Sequence, residues 1–170
     1  MATLVLKGMI AISRLRWPKG LAGRDLDPFA RRALWAEGFD FDHGTGHGVG
    51  AYLSVHEGPQ RLSRISHEPL RAGMILSNEP GYYREGAFGI RIENLVVVEG
   101  PGGDGEREMM SFETITFAPL DRRLIDVGLL DAGEVAWIDA YHGAVWDKLE
   151  GAVSGGVREW LRKATRALSE

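Results

Sequence analysis

Three of the chain's five histidines, His43, His47 and His56, fall in one glycine-rich segment, HGTGHGVGAYLSVHEGP (43–59). Imidazole is both a metal ligand and a proton carrier near neutral pH, so chemistry is to be sought where it concentrates. Gly44, Gly46, Gly48 and Gly50 alternate through the segment, and glycine at every second position disfavours a helix. The four-residue step from His43 to His47 is therefore not the helical zinc spacing. The segment offers instead a backbone that can come close to a ligand and aim imidazoles from loop or strand ends. The same residues also describe an ordinary glycine-rich turn with solvated histidines.

Two carboxylates sharpen the choice. Glu79 precedes Pro80-Gly81, which places it at a strand end beside a turn. Glu93 lies inside the apolar run GIRIENLVVVEG (89–100), and a mid-strand carboxylate is costly unless it is paired or coordinated. Arg91, two residues away on the same face, is the alternative partner through a structural ion pair. One imidazole and two carboxylates from three separate segments make a nitrogen and oxygen donor set. Such a set suits manganese, iron, cobalt or zinc. With no cysteine in the chain, thiolate sites and disulfides are excluded.

These groups need elements to hold them. Residues 4–16 place Val5, Met9 and Ile12 at helical spacing, ended by Pro18. A second helix follows, with Asp27 as N-cap, Pro28 at the first position, Phe29, Ala33 and Leu34 as its buried stripe and Gly38 at its end. Then the period changes to two. GMILS (73–77), 89–100 and SFETITFAPL (111–120) read as strands, with Ile90, Ile92, Asn94 and Val96 on one face of the middle one. EGPGGDGERE (99–108) reads as a loop. Helix returns in the tail. Asp131 and Glu134 form a capping box ahead of Val135, Ile138, His142, Val145 and Leu149. After Gly155-Gly156, an amphipathic helix carries Val157, Trp160, Leu161, Ala164 and Leu168. Helices, then sheet, then helices is an α+β order with a largely antiparallel sheet.

The remaining residues read plainly. His142 among apolar neighbours is a structural histidine, packed or partly exposed, and His67 in a polar loop is solvated. Trp17, Trp35, Trp137, Trp146 and Trp160 serve packing, and Arg122-Arg123 is a surface pair. A chain of 170 residues, 44% hydrophobic and 26% charged, can close a core of its own. Its 20 basic and 24 acidic residues give a net charge of −4, which lends no support to nucleic-acid binding. No signal-peptide pattern and no run approaching the roughly 20 apolar residues of a membrane span occur. A cytoplasmic location is the default expectation.

HGTGHGVG, VHEGP, SNEPGYY and GIRIEN, in this order, resemble the C-terminal half of the catalytic domain of Xaa-Pro aminopeptidases, members of the pita-bread metallopeptidase family. PKG (18–20), the residues around 25–38, PLDRRLID (119–126) and LLDAGEVAWIDAYHGAVWDKL (129–149) extend the similarity over nearly the whole chain. The resemblance implies the second half of a pita-bread fold, with helices packed on a curved, largely antiparallel sheet. Residues 1–127 would form it, and 128–170 a helical C-terminal extension. It implies metal ligands at His47, Glu79 and Glu93, and substrate-lining residues at His43, His56 and Tyr83. Catalytic roles would fall to His43, His56, Glu79 and Arg91, with Glu79 as general base. Two divalent metals, manganese foremost with zinc or cobalt as alternatives, would activate a shared water. The substrate would be a peptide with proline at its second position.

The family's five-ligand site also uses two aspartates on a hairpin upstream of the first helix. Asp25, Asp27, Asp40 and Asp42 do not match those positions. The chain is therefore expected to be a fragment with an incomplete site, inactive alone, and self-associating through the surface a missing half would cover. Two other readings stand beside the aminopeptidase: an inactive pita-bread module that binds peptides or protein partners, and a prolidase-type dipeptidase.

Overall fold

Apolar residues spaced three and four apart make the first helix, α1 (Ala2–Ser13), in which Val5, Met9 and Ile12 are wholly buried. In this computed structural model, residues 1–168 are described, except Leu53 and Asp104. The helix ends sooner than the expected residue 16. Arg16–Pro18 instead forms strand β1, because proline pushes the residue before it toward extended backbone. That geometry delivers the Trp17 ring onto Phe112, centroids 4.5 Å apart.

Helix α2 (Gly23–Ala36) starts earlier than the sequence suggests. Its N-cap is Ala22, whose amide donates to the Asp25 carboxylate at 2.9 Å. Asp27 is thus not a cap but an interior residue, wholly buried. Pro28 is tolerated inside the helix on its exposed side, where water can reach the carbonyl it leaves unbonded. The buried stripe is Leu26, Ala30 and Leu34, while Phe29 is exposed. Gly38, at φ +77°, closes the helix as expected.

The strands are β2 (Gly46–His47), β3 (Arg61–Leu62), β4 (Ile75–Asn78), β5 (Gly81–Arg84), β6 (Phe88–Arg91), β7 (Asn94–Gly102) and β8 (Met109–Thr114). Every pairing among them is antiparallel. A four-stranded sheet runs β1-β8-β7-β4, and β2-β3 and β5-β6 make two small sheets. The expected strand over 89–100 is really two. β6 pairs with β5 through Arg91, and β7 pairs with β4 from Asn94, so Ile92 and Glu93 lie at the changeover between sheets. Asn94, Val96 and Val98 then share the buried face. Strand β7 continues to Gly102 across an irregularity in register, so the expected loop starts later; its Asp104 lies outside the described residues. Strand β8 stops at Thr114, short of the expected 120.

The core of this unit joins Ile12 of α1, Leu26 and Ala30 of α2, and Leu76, Val96, Val98, Met110 and Phe112 of the sheet. Buried Asn78 pins α1 to the end of β4 by donating to the Met9 carbonyl (2.9 Å) and to Ser13 Oγ (3.1 Å).

Residues 3–116 form one compact unit, and a second begins at Phe117. The second holds two 3₁₀ turns, Arg122–Leu124 and Val127–Leu129, then α3 (Ala132–Leu149) and α4 (Gly155–Ala164). The capping box at Asp131 and Glu134 is formed, with both bonds at 2.8 Å. Tyr141, Val145 and Leu161 are its core. Against expectation, Val157 and Trp160 are exposed, and Leu161 alone of the α4 stripe is fully buried. Among the described residues, no helix is long and apolar enough to cross a membrane.

Candidate metal centre

The glycine-rich segment is held by close backbone packing. A Cβ on Gly46 would lie 1.9 Å from the Ser77 carbonyl oxygen, and one on Gly48 would lie 2.0 Å from that of Glu57. Neither glycine has positive φ; both are needed because neighbouring backbone occupies the space of a side chain. At Gly46 and Gly48 the protein's own chain makes a close approach, and both glycines also line the cleft. That approach fixes the short β2 beside β4, and with it the His47 ring.

His47, Glu79 and Glu93 converge. One potential ligand atom from each lies within 4.8 Å of the other two. The three come from β2, from the residue after β4, and from the changeover between β6 and β7. His47 Nε2 lies 3.2 Å from Glu79 Oε1. His47 Nδ1 meets the Gly48 carbonyl at 2.9 Å, and a carbonyl only accepts, so Nδ1 carries a proton. Nε2 and a carboxylate oxygen then face each other as two acceptors, an arrangement that a cation between them would satisfy. Ser77 Oγ accepts from the His47 amide and donates to Glu79 Oε1, both at 2.9 Å, which orients ligand and carboxylate together.

Arg91 Nη1 faces the other oxygen, Glu79 Oε2, at 3.5 Å. The possible Arg91–Glu93 pair of the sequence reading is therefore replaced by one with Glu79, because Arg91 closes the β5-β6 hairpin while Glu93 has left it. Glu79 is 8% exposed, whereas Glu93 and Arg91 are exposed.

His43 and His56 flank the cluster. His43 Nδ1 meets the Gly44 carbonyl at 2.8 Å, and His43 Nε2 lies 3.0 Å from the Tyr83 hydroxyl. With Nδ1 donating to a carbonyl, Nε2 is the ring atom left to accept from the Tyr83 hydroxyl. The His56 ring packs 4.0 Å from that of His47, at the exposed mouth. A cleft of about 400 Å³ is lined by His43, His47, His56, Glu79 and Arg91. Each side chain that the sequence singled out for chemistry lies in or beside this one region. The structure also brings to the site residues that the sequence did not assign to it: Ser77 beneath His47 and Glu79, and, behind the His43 loop, buried Arg31 and the Asp27 expected as a helix cap. The available signal was the four-residue spacing of Asp27 and Arg31 on a helix face otherwise apolar.

An α+β fold that gathers one histidine and two glutamates beside a cleft has the donor set of a metal site. The chain matches metallopeptidase family M24 over residues 1–100, and the C-terminal region of that family over 108–168. It belongs to that family and has its pita-bread fold.

Among relatives, a probable Xaa-Pro aminopeptidase P of Laccaria bicolor is 47% identical over 169 residues, covering 95% of this chain and 26% of its own length. Aminopeptidase P2 of Arabidopsis thaliana is 48% identical, covering 99% of this chain and 24% of its own. The X-prolyl aminopeptidase of Caenorhabditis elegans, described as a cytosolic enzyme with a di-nuclear active site, superposes with a TM-score of 0.90 at 37% identity. That likeness covers 98% of this chain and 28% of the nematode chain. The chain thus spans about a quarter of the length of each.

Proposed function

We propose that this chain supplies the histidine–dicarboxylate portion of a metal-dependent Xaa-Pro aminopeptidase, which removes an N-terminal residue ahead of proline. One observation carries the reading: His47, Glu79 and Glu93 bring ligand atoms within 4.8 Å of one another from three separate segments. The donor set is free of sulfur and rich in carboxylate, which fits a hard or borderline divalent cation, manganese first. The proton on His47 Nδ1 leaves Nε2 as the ligand atom, and Ser77 holds Glu79 Oε1 beside it. When bound, a divalent metal would supply Lewis-acid polarisation of the peptide carbonyl and make a water acidic enough to ionise near neutral pH.

The remaining steps belong to side chains of this chain. With a metal held there, Glu79 would take the water's proton at Oε2, the oxygen left clear of Ser77. Arg91 orients that oxygen from 3.5 Å. The Tyr83 hydroxyl and His43 Nε2, joined at 3.0 Å, form a polar wall against which the substrate's peptide group lies. His56 contributes from the mouth of the cleft. The peptide-binding role, the Xaa-Pro preference and a cytoplasmic setting are part of the same reading, supported by the likeness to aminopeptidases reported above.

Titration calorimetry of the full chain with manganese, followed by assay of a tripeptide with proline at its second position, tests it. Saturable manganese binding is expected. Glu79→Gln removes a ligand charge and should weaken binding at least ~tenfold, the scale at which even outer-shell changes act. Absence of manganese binding together with absence of turnover overturns the proposal.

A further inference from the structure

We propose that Arg31, Asp27 and Thr45 are positioning residues of the metal centre: a buried charge pair in α2 sets the backbone path of the His43 segment and, through Thr45, the placement of Glu79. The inference rests on the reading of the cleft as a metallopeptidase centre, and none of the three residues lines the cleft.

Arg31 is 2% exposed and Asp27 is wholly buried. Arg31 Nε donates to Asp27 Oδ2 (2.6 Å) and Nη2 to Asp27 Oδ1 (3.1 Å). The other bonds leave the helix. Nη1 donates to Asp40 Oδ1 (2.8 Å) and to the Phe41 carbonyl (2.6 Å), and Nη2 to the His43 carbonyl (2.8 Å). The guanidinium also sits 3.9 Å from the centre of the Phe41 ring, which packs 4.8 Å from the His43 ring. One side chain thus grips the segment at residues 40, 41 and 43.

Asp27 continues the path. Its Oδ1 accepts from Thr45 Oγ1 (2.7 Å) and from the Thr45 amide (3.3 Å). The Thr45 carbonyl in turn accepts from the amide of Glu79 at 2.7 Å. The route from α2 to the carboxylate is therefore Arg31, Asp27, Thr45, Glu79, with a hydrogen bond at each step.

Stability alone does not account for this arrangement. A buried ion pair adds little over well-packed apolar residues of similar size, because both charges must be desolvated. An apolar pair would fill the same face of α2. What it could not do is hold two loop carbonyls and a carboxylate in fixed directions, which the planar, five-donor guanidinium does. Reactive groups must be held within roughly 0.5 Å of a working geometry by such supporting contacts.

The test uses the full chain carrying Arg31→Lys, Thr45→Val, Thr45→Ser or, as a packing control in the same helix, Leu34→Val. Backbone amide exchange is followed at Glu79 and at Val98, whose amide bonds the Met74 carbonyl just before the start of β4, at the end of that strand opposite Glu79. Manganese affinity is measured by calorimetry. Lysine cannot reach all of arginine's acceptors, and valine lacks the hydroxyl that binds Asp27. Both should speed exchange at Glu79 about tenfold, leave Val98 unchanged, and weaken manganese binding about tenfold. Thr45→Ser keeps the hydroxyl and should restore both properties, and Leu34→Val should alter neither. If Arg31→Lys and Thr45→Val lower the melting temperature while Glu79 exchange and manganese affinity stay as in the parent, the pair is merely structural and the inference fails. Should the parent neither bind manganese nor turn over the tripeptide, the proposed function fails instead; exchange at Glu79 relative to Val98 then decides the inference by itself.

Discussion

At the residue scale, the histidines of this chain divide by what faces them. His47 and His43 each give their Nδ1 proton to a neighbouring carbonyl and turn Nε2 toward a polar partner in the cleft. His142 is the opposite case. It is wholly buried, its Nε2 accepts from the Leu120 amide at 3.1 Å, and burial pushes its imidazole below the ordinary histidine range, with Arg122 acting in the same direction. Its folded-state affinity for protons is lower than in the unfolded chain, so the unfolded state takes up the extra proton in acid. The stability tied to neutral His142 is complete above the unfolded value of about 6.5 and declines as pH falls below it. Urea midpoints of the second unit should drop between about pH 7 and pH 5. His142→Gln, which keeps an acceptor for Leu120, should flatten that part of the profile. Asp40 gives a second, more acidic step. Burial opposes its charge, but hydrogen bonds from Trp35, Arg31, the Phe41 amide and Arg64 outweigh it and hold the carboxyl well below the usual range. Its contribution is lost only as pH falls beneath the ordinary carboxylate value.

At the element scale, what could be read from the sequence was what depends on near neighbours. The box at Asp131 and Glu134 needs only its own first turn, and it forms as read. Because each partner satisfies an amide that the helix leaves free, Asp131→Ala should cost about 1 kcal/mol. A lower melting temperature for the Phe117 unit, with manganese binding unchanged, is the expected result. Elements decided by distant contacts read less well. The start of α2 was misplaced because Asp27-Pro28 has the local look of a helix start, whereas Asp27 is committed to Arg31 and Thr45 inside the fold. The single strand expected over 89–100 divides because β6 and β7 find different partners, a choice no local period encodes. That division matters for the site. It removes Glu93 from a strand interior and frees it to turn toward His47 and Glu79. The residue types that could hold a metal were thus legible in the sequence, but the reason Glu93 can reach the others lies in sheet topology. Gly46 and Gly48 were legible as close-approach positions, though not which backbone approaches them.

At the scale of the whole molecule, several large apolar side chains stand in solvent, one of them on the cleft itself. Tyr52 is 93% exposed, Val55 63% and Ile65 71%, and Ile65 lines the cleft itself. Phe88 is also exposed, on a β5-β6 hairpin that forms a sheet of only two strands. Exposed apolar side chains and short unpaired sheet edges are surfaces that other chains can cover. The net charge of −4 spread over 170 residues offers weak repulsion between copies at physiological ionic strength. We therefore expect the chain to self-associate. Light scattering coupled to size-exclusion chromatography over a dilution series should show an apparent mass that rises with concentration. Raising the salt should favour association, since screening removes the remaining repulsion while apolar burial persists. Ile65→Lys, placed at the edge of the cleft, should lower the apparent mass if that rim is the contact. A constant monomer mass at every concentration and salt level would show that these side chains are simply solvated.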